Sequence, residues 1–134
     1  MRPPRVVLVA AFAAVVVTAC AGATKTPFAR AALDAGGTFA AAARTIDDLH
    51  AGRLTREYAA ATLGVLATQV EAAPDELRTA AGASDPGSAA ALADQARAGV
   101  SVVRSPCLDA GCDWRGQVAA LRGTARALSE AGGS

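Results

Sequence analysis

Beyond residue 27 the apolar positions return at alternating intervals of four and three: Phe28, Ala32, Ala35, Phe39, Ala42, Ile46 and Leu49. That period predicts a helix with one narrow buried stripe, packing at a shallow angle against its neighbours. Gly36-Gly37 interrupts the run. Each glycine costs a helix about 1 kcal/mol against alanine, so the pair predicts a kink or a close helix crossing. Gly52 predicts the stop. Thr55 is placed as the N-cap of a second helix, with Leu54 as a hydrophobic staple. The second stripe runs Ala59, Leu63, Leu66, Val70, Ala73 and Leu77. Pro74 lies within it, and because Leu77 keeps the phase the expectation is one helix with a kink.

The cluster from Gly82 to Gly87 predicts a turn, with Asp85 as N-cap and Pro86 in the first helical position. A third helix carries Ala89, Leu92, Ala96, Gly99 and Val103, with Val100 and Val102 beside them, and ends at Ser105-Pro106. Asp113 is the predicted cap of a fourth, whose stripe is Trp114, Val118, Leu121, Ala125 and Leu128. Four matched seams and no strand signal predict an all-α, up-down four-helix bundle over 28–131 with a flexible tail at 132–134.

The first nineteen residues follow a different pattern. Arg2 and Arg5 precede an apolar run from Val6 to Val17 made only of valine, leucine, alanine and phenylalanine. A positive start and a short apolar core are the marks of an export signal. The run ends in Val17-Thr18-Ala19-Cys20, which resembles the lipobox of bacterial lipoproteins. That resemblance implies cleavage before Cys20, a diacylglyceryl thioether on its sulfur, and a lipidated tether over 20–27. Two acyl chains hold a protein stably at a bilayer where one does not. The alternative is an uncleaved signal anchor, since no charge falls between Arg5 and Lys25 and that length just spans a hydrocarbon core of about 30 Å. Its alanine-rich centre and weakly polar end favour the lipoprotein.

Assigning Cys20 to lipid leaves Cys107 and Cys112, which in an oxidising compartment are expected to pair and close a small loop. Four intervening residues in a loop read as a structural bridge, because redox-active pairs usually have two at a helix N-terminus. The formal charge of +1 includes Arg2 and Arg5, so the exported part is slightly acidic. It offers no basic field for nucleic acid.

Candidate chemistry is sparse. His50 is the single histidine; it follows Asp47-Asp48 in the last turn of a helix, where it complements the dipole. Only Asp47 and His50 share a helical face there, too few for a zinc site. Asp47-Asp48 and Asp75-Glu76 read as solvated or helix-terminal charges. No nucleophile-base arrangement, cofactor motif or metal-ligand spacing is expected, and an enzyme is the least favoured class. Phe39, Tyr58 and Trp114 could line an apolar groove between helices, although such residues more often belong to a core. The expectation is a non-enzymatic lipoprotein on the extracytoplasmic side of the cell membrane. It is held there through Cys20 and presents a helical face to an envelope partner. A lipoprotein binding a small apolar ligand is the alternative.

Overall fold

The computed structural model describes residues 25–82 and 86–133. They form five helices: α1 (Pro27–His50), α2 (Arg56–Val70), α3 (Ala73–Ala81), α4 (Pro86–Arg104) and α5 (Trp114–Gly133). The expected signal segment, Cys20 and the predicted cap Asp85 lie outside the described residues.

Several boundaries have a local cause. Thr26 accepts a hydrogen bond from the Ala29 amide, and Pro27 occupies the first turn of α1, so the helix starts one residue earlier than the stripe suggests. At its other end Gly52 takes φ +77°. The Gly52 amide donates to Leu49 and the Arg53 amide to Asp48, the paired bonds of a Schellman stop. Thr55 caps α2 through the Tyr58 amide at 3.2 Å, and Asp113 caps α5 through the Gly116 amide at 2.9 Å. A Cβ on Gly116 would collide with the Asp113 carboxylate, so the missing side chain keeps that cap in place.

The second predicted helix is not one kinked rod. It ends at Val70 and restarts at Ala73, because Pro74 has no N–H to offer the Val70 carbonyl one turn earlier. Glu71 and Ala72 retain right-handed helical angles. The phase therefore survives the break, and Val70, Ala73 and Leu77 all remain buried.

α1 packs against each of the other helices and most extensively against α5. With α2 and α3 taken as one broken limb, the chain runs up, down, up, down, and antiparallel α1 and α5 close the bundle. Small residues bring these two together. A Cβ on Gly36 would lie 3.1 Å from Ser129 Oγ and 3.2 Å from the Ala125 carbonyl. The glycine pair therefore marks a crossing, and α1 is continuous through it. Of the predicted tail at 132–134, Gly132 and Gly133 are helical instead: α5 runs to Gly133, and Gly132 is buried where a Cβ would lie 2.8 Å from the Ala29 carbonyl, while Ser134 lies outside the described residues.

The core follows the predicted stripes closely. Phe39, Ile46, Leu63, Leu77, Leu121 and Leu128 are fully buried, as are Val70 and Val103, with alanines between them. Phe39 lies over Gly99 of α4, so close that a Cβ there would be 2.6 Å from its ring.

Candidate functional site

The end of the bundle opposite the start of α1 is held by an interlocked set of contacts around the loop from Ser105 to Asp113. Cys107 and Cys112 form a disulfide with their Cα atoms 5.9 Å apart; Cys107 is buried and Cys112 exposed. His50 Nε2, at the end of α1, donates to the Cys107 carbonyl at 2.8 Å. The imidazole also stacks on Trp114, centroids 4.4 Å apart and planes 6° from parallel. Arg115 covers Trp114 at 4.7 Å, an arrangement that attracts a cation to the ring face. Gln117 receives the Cys107 amide at 2.7 Å and donates to the Ser105 carbonyl at 3.2 Å. Arg56 pairs with Asp109 and ties the start of α2 to the same loop.

These groups satisfy one another. The His50 Nε2–H, both polar ends of Gln117 and one carboxylate oxygen of Asp113 have protein partners. The shallow cleft of about 580 Å³ beside the loop is lined by Pro106, Cys112, Gln117 and Ala120 among others. Chemically the arrangement is a clamp joining α1, α2, α4 and α5. Among the described residues no three of His, Cys, Asp and Glu are grouped to hold a metal ion. The stack was not legible in the sequence, because His50 and Trp114 stand far apart along the chain.

The groove expected from Phe39, Tyr58 and Trp114 does not assemble. Phe39 is 0% exposed and packs on Gly99, whereas Tyr58 is 61% exposed. Trp114 sits against His50, eleven residues beyond Phe39 on α1 and so about 16 Å along that helix. One residue of the three is core, one is surface and one belongs to the clamp.

Tyr58 instead marks a surface of its own. From Tyr58 to Val70 there is no charged side chain, and Tyr58, Ala61, Val65 and Thr68 recur on one exposed face of α2. Val65 is 58% exposed. The outer faces of α1, α4 and α5 differ, carrying Arg30, Asp34, Arg44, Asp94, Arg97, Arg122 and Arg126. Among the described residues no helix is long and apolar enough to cross a membrane.

No family model, curated protein or solved structure matches the chain.

Proposed function

We propose that this protein is an exported lipoprotein, anchored on the extracytoplasmic side of the cell membrane through Cys20, that presents α2 to an envelope protein and performs no chemistry of its own. The observation that carries the partner half of this reading is the outer face of α2 from Tyr58 to Val70, which bears no charged side chain. Tyr58 and Val65, the large apolar side chains left exposed among the described residues, lie two helical turns apart on it, and tyrosine is enriched where proteins meet. The anchor half is supported by the sequence around Cys20 and by the pairing of Cys107 with Cys112, which accounts for the other two cysteines of the chain.

A photo-crosslinking amino acid placed at Ala61 or Val65 in intact cells tests the partner. The expected result is one discrete adduct from these sites, absent from the exposed positions Ala90 and Ala119 and weakened about tenfold or more by Tyr58→Glu. Equal adducts from every position would remove α2 as the docking face. Cys20→Ser tests the anchor separately: acyl labelling and membrane retention are expected to vanish.

A further inference from the structure

At the tether end, the start of α1, the end of α3, the start of α4 and the end of α5 enclose a cavity of about 400 Å³. Its wall is Phe28, Ala80, Ala81, Ala89, Leu92 and Ala131, with Thr26 and Ser88 at its edge. The volume falls within the range of small-molecule sites, about 300–1,000 Å³. Among the described residues no ionisable side chain lines it, whereas Asp34, Asp75 and Glu76 line the neighbouring cleft between α1 and α3, and Asp113 lines the one by the disulfide. The occupant it suits is therefore an uncharged, flexible hydrocarbon. The location narrows the source. Thr26 belongs both to the cavity and to the cap of α1, and six residues on from Cys20 the chain reaches at most about 20 Å. An anchor at Cys20 thus holds this end of the bundle against the bilayer. Lys25 stands beside the opening, its Nζ donating at 3.5 Å to the carbonyl of Gly132, next to Ala131 of the wall. A negative headgroup is the natural companion of that charge.

We propose that this cavity binds one fatty acyl chain of an anionic bilayer lipid or fatty acid, with the headgroup left outside near Lys25. The membrane source rests on the anchored reading; the cavity itself does not. The chain belongs to a separate lipid, because withdrawing one of the protein's own two acyl chains would leave only the marginal hold of a single chain.

The test uses full-length protein, as wild type and as Cys20→Ser, with a diazirine-bearing palmitate as the probe and peptide mapping of the photolabel. Label is expected on the peptides holding Phe28, Leu92 and Ala131 in both forms. Ala80→Phe and Ala131→Phe, at half-buried wall positions, are expected to reduce it at least tenfold with helical content by circular dichroism unchanged. Label scattered over exposed helix faces, or indifferent to both phenylalanines, overturns the site. Label confined to Cys20→Ser shows the protein's own anchor in the cavity and overturns the proposed source. Cavity label on wild-type protein whose Cys20 is unacylated refutes the anchor alone and leaves the binding site standing.

Discussion

Single atoms decide several contacts in this protein, and the glycines show it most clearly. Gly99 and Gly37 both sit inside helices, yet a Cβ on Gly99 would press into the Phe39 ring while one on Gly37 would meet nothing within 4 Å. Gly99→Ala is therefore expected to destabilise the fold by about 1–3 kcal/mol through overpacking. Gly37→Ala should raise stability by about 0.5–1 kcal/mol through helix propensity. Urea unfolding of the two variants distinguishes them by sign, and an absence of any loss in Gly99→Ala would refute the close crossing there. His50 carries a comparable local role. His50→Ala removes both the bond to the Cys107 carbonyl and the stack on Trp114, and about 1–3 kcal/mol is the expected loss. Trp114 fluorescence reports whether the ring then becomes more exposed. The sequence offered Gly36-Gly37 as a kink or a crossing and could not choose between them, because the answer depends on Ser129 and the Ala125 carbonyl across the interface.

At the scale of elements, ends were easier to read than faces. Gly52, Thr55 and Asp113 act through neighbours within a few residues, so their roles follow from residue type and spacing alone. Thr55→Ala and Asp113→Ala should each cost about 1 kcal/mol, read as a lower thermal midpoint, and the pair should add because the caps serve different helices. Pro74 was harder. Its missing amide was visible in the sequence, but whether the chain bent or broke depended on how α3 seats against α1 and α4 once freed from α2. The face of α2 was harder still. Its stripe of Ala59, Leu63 and Val70 is buried as expected, and the period places Tyr58 just off that stripe, at its boundary; how far out it stands depended on which helices leave that side of α2 uncovered.

For the molecule as a whole, α1 is the organising element, and a core so rich in alanine places much of its packing on a few large side chains. Phe39→Ala is expected to cost about 3–5 kcal/mol, and calorimetry should show it as the most damaging of the substitutions named here. The Cys107–Cys112 ring is short, and in the chain-entropy model it contributes about 2 kcal/mol. The Cys107→Ser/Cys112→Ser protein should remain folded, with a lower urea midpoint and an almost unchanged slope. An unfolded double variant would mean that the clamp, with His50 and Gln117 on Cys107, depends on the bridge far more than loop entropy implies. The ion pairs between Arg78 and Asp94 and between Arg122 and Asp47 are exposed and contribute little singly. By itself the sequence determined the helical class, nearly all of the buried stripe, most of the helix ends and the pairing left to Cys107 and Cys112. All of these follow from local periodicity, capping chemistry and cysteine arithmetic. The tertiary structure alone decided that Phe39, Tyr58 and Trp114 part company, that His50 locks onto the disulfide loop, that the last described residues of α5 pack on α1, and that a cavity with no ionisable side chain among its described walls opens beside the start of α1. Those outcomes depend on which faces meet across distant segments, and neither periodicity nor propensity carries that information.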